Sequence, residues 1–263
     1  MEGQKLTSAQ NPKIKELLLL QKKSSERRSQ GLFVVEGVRE LSHCIEAGYT
    51  PHAVFYCPDL LKQLPDGLRE QSCAFYEVTP DLYAKIAYRC TTEGIVAEIQ
   101  SRERSLEDIP LSAAPLIVVL ESVEKPGNLG AILRSADAAH ADAVIVCDPL
   151  TDLYNPNLIR SSIGALFTVP CVACTSEACI RYLKAHGIRI LTAQLQDSHL
   201  YYDTDMRVGT ALVMGTESTG LTPVWREAAD AHIRIPMLGR LDSLNVSVSA
   251  AILLFEAVRQ RNN

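Results

Sequence analysis

The sequence predicts an α/β protein of two units, the second built on a mostly parallel β-sheet. Segments with the apolar pattern of strands alternate with helix-like segments along nearly the whole chain. In the C-terminal half, the strand-like segments LIVVL, AVIVC and TALVMG are apolar on both faces, which requires helices on both sides of the sheet. Between the halves, the charged stretch SRERSLEDIPLSAA is typical of a linker.

The first unit is assigned to residues 1–105. Helices are predicted at NPKIKELLLLQKK, which has amphipathic spacing, at VRELSHCIEAG, which ends at Gly48, and at DLYAKIAYR. Strands are predicted at FVVEG, HAVFYC, SCAFYEV and GIVAEI. This alternation predicts a small α/β unit.

The second unit is assigned to residues 106–263. The strand LIVVL, the helix AILRSADAAH and the strand AVIVC form a βαβ unit, so the sheet should be parallel. Further strands are predicted at IRILTA, TALVMG and HIRIP, and further helices at EACIRYLKAHG and PVWREAAD. From Leu244 onwards a last helix is apolar on almost every side, so we expect it to be buried nearly all round.

Composition favours a folded protein that is not embedded in a membrane. The chain has 263 residues, of which 47% are hydrophobic and 22% charged, so it can form one large or two modest cores. No apolar run reaches the roughly 18 residues of a membrane span, and the N-terminus is too polar for a signal peptide. We therefore expect a cytoplasmic protein that does not associate with membranes.

The eight cysteines are scattered along the chain and suggest no metal site. Cys171 and Cys174 form the only CxxC pair, and no second pair follows at zinc-ribbon spacing. Reduced and mostly buried thiols, without a metal, are the expectation.

Charge is unevenly distributed although the net charge is −5. Residues 1–30 contain seven Lys and Arg against three acids, whereas residues 106–263 contain 12 against 17. A phosphate-binding surface is therefore expected mainly at the N-terminal end, the alternative being a solvated basic helix face. The candidate phosphate-binding residues are Lys13, Lys15, Lys22, Lys23, Arg28 and Arg39.

Two turns that follow buried strands are candidates for a ligand site, because ligands of open α/β sheets bind beyond the carboxyl ends of strands. After LIVVL, the spacing GNLG does not match the GxGxxG dinucleotide fingerprint. Arg134 follows on the next helix, where it could equally pair with Asp137 on the helix surface. After TALVMG, Gly215 and Gly220 bracket Glu217, which suggests either a loop around a flat ligand or a plain tight turn.

The start of the last helix is the third candidate. Five polar residues lie just before this helix or in its first turns, whereas a helix N-terminus needs only one or two residues as caps. The five residues are Asp242, Ser243, Asn245, Ser247 and Ser249. The others are available to line a site, and free N–H groups of a helix N-terminus attract anions.

Together the three segments resemble the SpoU (TrmH-like) branch of the SPOUT superfamily of RNA 2'-O-ribose methyltransferases. The first family motif, NxGxxxR, matches Asn128, Gly130 and Arg134, and the second, GxExxG, matches Gly215, Glu217 and Gly220. The third is IPMLGRLDSLNVSVSAAILLFEA. NPNLIRSSIGALFTVP and the N-terminal TSAQNPKIKELL…GLFVVEGVREL also look like the family. Thr216 departs from the pattern, since the family usually has Asn there.

The resemblance implies a SPOUT catalytic domain with a C-terminal trefoil knot, an L30e-like RNA-binding domain ahead of it, and a homodimer. It implies methyl transfer from S-adenosylmethionine to a ribose 2'-hydroxyl of rRNA or tRNA. The implied cofactor-binding residues are Met214, Gly215, Thr216, Glu217, Gly220, Ile235, Met237, Ser243 and Leu244. The implied catalytic residues are Arg134, Asn128, Ser243, Asn245 and Glu217, the alternative for Glu217 being a structural role that ties loop amides together.

The reaction that the resemblance implies needs alignment and removal of the hydroxyl proton, not a metal. A guanidinium is a poor base, so Arg134 is expected to hold phosphate or to stabilise the developing alkoxide. Two alternatives stay open: a non-catalytic RNA-binding protein that retains the fold, and a nucleotide-binding oxidoreductase, against which the missing GxGxxG counts.

Overall fold

The computed structural model describes residues 3–88, 93–216 and 219–262. These residues belong to two compact units. Unit 1 is Met1–Glu103 with Asp152–Thr168, and unit 2 is Arg104–Thr151 with Val169–Asn263. The sequence predicts one boundary, near residue 106, and assigns residues 152–168 to the second unit. In the structure this segment packs with unit 1 instead.

The helices and strands are as follows. The strands are β1 (Gln4–Leu6), β2 (Leu32–Glu36), β3 (Pro51–Tyr56), β4 (Ala74–Val78), β5 (Ile95–Gln100), β6 (Leu116–Glu121), β7 (Ala143–Cys147), β8 (Cys171–Cys174), β9 (Arg189–Ala193), β10 (His199–Leu200), β11 (Thr210–Met214) and β12 (Ala231–Arg234). The helices are α1 (Pro12–Lys22), α2 (Ser24–Gln30), α3 (Val38–Glu46), α4 (Pro80–Ile86), α5 (Pro126–Ala138), α6 (Pro156–Ser162), α7 (Ala165–Thr168), α8 (Ser176–Ala185), α9 (Pro223–Ala228) and α10 (Val246–Arg261).

Unit 1 is built on a five-stranded sheet in the order β1-β4-β3-β5-β2. β1, β4 and β3 run parallel to one another, whereas β5 pairs antiparallel with both β3 and β2. The first helix covers the core with Ile14, Leu17 and Leu20, which are fully buried. It begins at Asn11, whose side chain accepts a hydrogen bond from the backbone N–H of Lys13 at 2.9 Å.

Residues 152–168 belong to unit 1 because they complete its aromatic packing and neutralise a buried charge. The ring of Phe33, which is fully buried, stacks on Tyr154 at a centroid distance of 4.2 Å and on Phe167 at 6.1 Å. The guanidinium of Arg27 is only 5% exposed and contacts the carboxylate of Asp152 at 2.6 Å. A buried arginine without such a partner would be strongly destabilising, so the pair fixes this segment.

Unit 2 is built on a seven-stranded sheet in the order β10-β12-β9-β11-β6-β7-β8, and every strand pair is parallel. The predicted α/β fold with a mostly parallel sheet is therefore confirmed. Two of its strands, β8 and β10, were not predicted, because four and two residues are too few to produce a pattern. The carboxyl ends of β9, β11 and β12 lie side by side at one edge.

The last helix, α10, begins at Val246, two residues later than predicted, because the side chain of Asn245 caps it by accepting from the N–H of Ser247 at 3.0 Å. It packs against α5 and β11. The prediction of nearly all-round burial is wrong for this chain: Val248 and Phe255 are 47% and 48% exposed. These residues are seven apart and share one helix face, which points away from that packing.

None of the helices in the described ranges has both the length and the apolar character that crossing a bilayer requires.

Candidate functional site

A cavity of about 470 Å³ opens in unit 2 where β9, β11 and β12 end. Residues that follow these three strands line one part of it, and residues from Asp242 to Leu253 line the other. Its volume is in the usual range for sites that bind small molecules. The position agrees with the rule that ligands of parallel sheets bind beyond the carboxyl ends of the strands.

The described residues that the sequence singled out for the cofactor all line this cavity. They are Met214, Gly215, Thr216, Gly220, Ile235, Met237, Ser243 and Leu244. The ninth, Glu217, which was also a catalytic candidate, lies outside the described residues. Segments that are distant in sequence therefore converge on one cavity, which is what a binding site for a single ligand requires.

The β11 loop, defined here as the described residues Gly215, Thr216, Thr219, Gly220 and Leu221, folds back tightly on itself. The N–H of Gly220 donates to the carbonyl of Thr216 at 3.1 Å, and the hydroxyl of Thr216 accepts from the N–H of Thr219 at 3.0 Å. A Cβ on Gly215 would lie 2.3 Å from backbone atoms of Gly220, so only glycine fits there. Thr216, the departure from the family pattern, thus holds the turn with its own hydroxyl.

A buried carboxylate anchors the far side of the β11 loop. Glu121, at the end of β6 and 3% exposed, accepts from the backbone N–H of Thr222 at 2.8 Å and from its hydroxyl at 2.6 Å. The hydroxyl oxygen of Ser176 lies 3.4 Å from the same carboxylate. These bonds tie the residue that follows the loop to the centre of the sheet, which limits how far the loop can move.

Two candidate residues from different motifs meet beside a second, smaller cavity. This cavity, of about 140 Å³, is lined by Asn128, Gly215, Thr216 and Val246, together with residues 122–125. The side-chain amide of Asn245 donates to the side-chain oxygen of Asn128 at 3.2 Å. The first and third motifs are therefore linked directly, and the second motif contributes to both cavities.

In the described part of its own chain, Arg134 lines neither cavity. It is exposed on α5, six residues after Asn128. At about 100° per residue, six residues place the two side chains about 120° apart around the helix axis. α5 begins at Pro126, five residues earlier than predicted, so Asn128 lies in the helix and not in the turn before it, and its side chain points to a different side from that of Arg134.

Sequence reasoning missed the segment after β9 and two charged lining residues. Gln194, Leu195 and Gln196 line the larger cavity, as do Arg226 and Arg234. The guanidinium of Arg234 donates to the backbone carbonyl of Ser198, so part of its hydrogen-bonding capacity is used structurally. IRILTA was predicted as a strand, and the carboxyl-end rule applied to it would have identified the residues that follow.

The six candidate basic residues lie on unit 1 and differ in whether their charged groups contact acidic side chains. Lys15, Lys22, Lys23, Arg28 and Arg39 are exposed. The ammonium of Lys13 contacts Glu16 at 3.1 Å, and this hydrogen bond raises the pKa of Lys13. Arg27, which contributed to the positive count of this segment, is buried in the ion pair with Asp152 and serves the fold.

Two separate ranges of the chain each match a known protein family. Residues 115–255 match the SpoU rRNA Methylase family, and residues 11–97 match the MRM3-like substrate binding domain. One relative, the 23S rRNA (uridine(2479)-2'-O)-methyltransferase of Streptomyces viridochromogenes, is 32% identical over 97% of this chain and 92% of its own length.

Two solved structures are similar over nearly their whole length. One is an RNA 2'-O ribose methyltransferase, with a TM-score of 0.85 and 39% identity over 98% of this chain and 100% of the other. The second is an AdoMet-bound rRNA methyltransferase from Sinorhizobium meliloti, with a TM-score of 0.89 and 30% identity over 97% of each chain. The family match at residues 115–255 covers more than half of the chain and includes the motif residues that line the two cavities, so the protein belongs to the SpoU rRNA methylase family.

Proposed function

We propose that this protein transfers a methyl group from S-adenosylmethionine to a ribose 2'-hydroxyl of ribosomal RNA. The observation that carries the proposal is that the second and third motif segments line one cavity, while Asn245 of the third segment is hydrogen-bonded to Asn128 of the first. The ribosomal substrate is favoured over tRNA because the relative from Streptomyces viridochromogenes is named for methylation of 23S rRNA.

The cavity suits S-adenosylmethionine by its lining as well as by its size. Leu195, Met237 and Leu244 provide accessible apolar surface of the kind that an adenine ring contacts. The tight β11 loop presents backbone groups to the same space. Asp242 supplies a carboxylate, which attracts the positively charged end of the molecule.

When bound, S-adenosylmethionine supplies an electrophilic methyl group on a sulfonium centre. The work of the protein is then to align the 2'-oxygen with that methyl group and to stabilise the charge that develops. We assign alignment to Asn128, Ser243 and Asn245, which lie around the two cavities, and charge stabilisation to Arg134. A guanidinium stays protonated at neutral pH, so Arg134 is suited to holding phosphate or alkoxide rather than to acting as base.

The direct test of this function locates the methyl group on the product. The full-length protein is incubated with labelled S-adenosylmethionine and either 23S rRNA or tRNA, and the RNA is then hydrolysed in alkali. A 2'-O-methyl group removes the hydroxyl that attacks the neighbouring phosphate, so we expect one resistant linkage in the 23S rRNA ladder. Label on a base, or RNA binding without any transfer, would instead support a different activity or the non-catalytic alternative.

We also propose that the protein is a homodimer that uses the exposed face of α10. Val248 and Phe255 expose about half of their surface, and Leu238 and Leu241 just ahead of the helix are 95% and 76% exposed. Apolar side chains grouped in this way are typical of a protein–protein interface. A second copy of the chain would cover them and would give α10 the burial that its sequence predicts.

Replacing Phe255 with aspartate tests the proposed interface. We expect the Phe255→Asp variant to be a monomer by light scattering, because the new charge would have to be desolvated at the interface. Leu150→Asp is the matched control, since Leu150 is 63% exposed and lies elsewhere in unit 2, and it should leave the mass unchanged. A dimeric Phe255→Asp protein would show that α10 is not the interface.

RNA capture is assigned to the basic surface of unit 1. Changing Lys15, Lys22 and Lys23 together to glutamine should weaken RNA binding and flatten its salt dependence. The log–log slope should fall by roughly 0.7 to 0.9 for each phosphate that the variant no longer neutralises. The control changes Lys62, Arg181 and Lys184 to glutamine, since these residues are also exposed but lie outside that segment. If the two triple variants had equal slopes in the salt dependence of RNA binding, the N-terminal lysines would belong to an ordinary solvated face.

Two further expectations follow from family membership: the C-terminal trefoil knot and a cytoplasmic location beside the proposed ribosomal substrate. Both stay predictions for this chain.

A further inference from the structure

Three cysteines from separate segments converge in unit 2. Cys147 is the last residue of β7, Cys174 is the last residue of β8, and Cys179 lies in α8. Their sulfur atoms all lie within 4.8 Å of one another. Among the residues that the structure describes, they form the one such group of cysteine, histidine or acidic side chains.

The fold explains why these thiols meet although they are far apart in sequence. β7 and β8 are parallel neighbours, and their register places Cys147 directly opposite Cys174. Side chains that are opposite one another in a sheet point to the same face. The hydroxyl of Thr175 caps α8 and the helix packs onto β7, which brings Cys179 over the same face.

The three cysteines differ in burial, and the partly exposed one gives access to the cluster. Cys147 and Cys179 are fully buried, whereas Cys174 is partly exposed. An ion could therefore enter past Cys174 and meet two sulfurs that are shielded from water. In the described part of the chain, none of the three cysteines lines either cavity of the candidate site, so the cluster is a separate feature.

We propose that Cys147, Cys174 and Cys179 bind a Zn²⁺ ion as three thiolates, with the fourth position open to water. Three thiol protons pass to solvent as three zinc–sulfur bonds form. With a zinc–sulfur distance of about 2.3 Å, the sulfurs of such a site lie about 3.8 Å apart, so sulfurs within 4.8 Å of one another would each move inward by at most about 0.6 Å. The partly exposed side of Cys174 provides the opening for the water.

Charge favours zinc over a monovalent thiophilic ion such as Cu⁺. Soft thiolates select both metals. Three thiolates leave a net charge of −1 with Zn²⁺ but −2 with Cu⁺, and a mostly buried site disfavours the larger charge. The loop after β7 is also fixed, because the hydroxyl of Ser176 donates to the carboxylate of Asp148, next to Cys147, at 2.6 Å. Bonds of this kind around a metal site hold its ligands in place.

The sequence did not indicate this site. Zinc motifs are recognised by short, paired spacings, whereas Cys147 and Cys174 are joined only through strand register. Of the CxxC pair Cys171 and Cys174, only Cys174 belongs to the cluster. Successive residues of β8 alternate between the faces of the sheet, so Cys171 lies on the opposite face.

The test uses metal-free full-length protein, titrated with Zn²⁺ against a chromophoric chelator. We expect one zinc per chain, and a Cys174→Ser variant should bind it at least about 100-fold more weakly. Cys73→Ser is the matched control, since Cys73 is also partly exposed but lies in unit 1, and it should bind as the unmodified protein does. Co²⁺ in place of zinc should give sulfur-to-cobalt charge-transfer absorption only when all three cysteines are present.

A second measurement on the unmodified protein removes the risk that a variant fails to fold. Zinc should protect Cys174 from alkylation by iodoacetamide, while the alkylation rate of Cys73 stays the same. Unprotected Cys174, equal zinc affinity of the two serine variants, or binding of Cu⁺ but not Zn²⁺ would each overturn the proposal. No step uses RNA or S-adenosylmethionine, so the result is independent of the proposed methyl transfer.

Discussion

The Arg134→Ala variant is expected to methylate RNA about two to three orders of magnitude more slowly than the unmodified protein, the usual scale for one preorganised electrostatic donor. Binding of S-adenosylmethionine should be unchanged, because Arg134 lines neither cavity in the described part of its own chain. Calorimetry and the rate of label transfer measure the two effects separately. Lysine should restore little activity, since a point charge cannot replace a planar guanidinium that grips phosphate with two donors.

The position of Arg134 also predicts where it acts. In the homodimer that we propose, its exposed side chain is available to the cavity of the second subunit. Mixed dimers assembled from Arg134→Ala chains and chains with a disabled cavity should therefore recover activity that neither parent has. Full activity of Arg134→Ala alone would remove this residue from the mechanism, and mixtures that stay inactive would place its action within its own chain.

Gly215→Ala is expected to weaken cofactor binding strongly, because it changes the shape of the β11 loop. The added methyl group would lie 2.3 Å from the backbone carbon and oxygen of Gly220 and 2.6 Å from the nitrogen of Leu221. These are backbone atoms, so the loop itself must move, and the larger cavity is lined by that loop. We expect the Kd for S-adenosylmethionine to rise at least about 100-fold, which corresponds to about 2.7 kcal/mol. Calorimetry measures the change directly.

Gly127→Ala is the matched control for this substitution. Gly127 lies in the first turn of α5, and a Cβ there meets nothing within 4 Å. Alanine is also the better helix former, so this variant should bind the cofactor normally and unfold at the same or a slightly higher temperature. Normal cofactor binding by Gly215→Ala would mean that the β11 loop does not shape the site.

Prediction from sequence succeeded where a local pattern carries the information. The buried strands of unit 2 are continuous apolar runs, so their existence and their parallel arrangement could be inferred without coordinates. The convergence of residues near Gly215, Ile235 and Ser243 on one cavity follows from the same rule, because each stretch comes after a strand or ahead of a helix at the carboxyl edge of the sheet.

Prediction failed where the information lies in contacts between distant segments. Nothing local in YNPNLIRSSIGALFTVP shows that Tyr154 and Phe167 pack on Phe33. The exposure of Phe255 could not be read from a helix that is apolar on every side, since periodicity does not tell a core from an interface between subunits. The cluster around Cys147 depends on strand register, which a single sequence does not specify.

The assignment of residues 152–168 to unit 1 has a consequence for how the chain folds as it is synthesised. Unit 1 is interrupted after Glu103 and is completed about 65 residues later, at Thr168. Until then, Phe33 lacks its stacking partners and the buried Arg27 lacks its carboxylate. At about 5–20 residues per second, the ribosome needs roughly 3 to 13 s to supply them. The N-terminal part of the protein must therefore wait, incompletely folded, while β6 and β7 of unit 2 emerge, and its maturation is tied to translation of the unit that carries the chemistry.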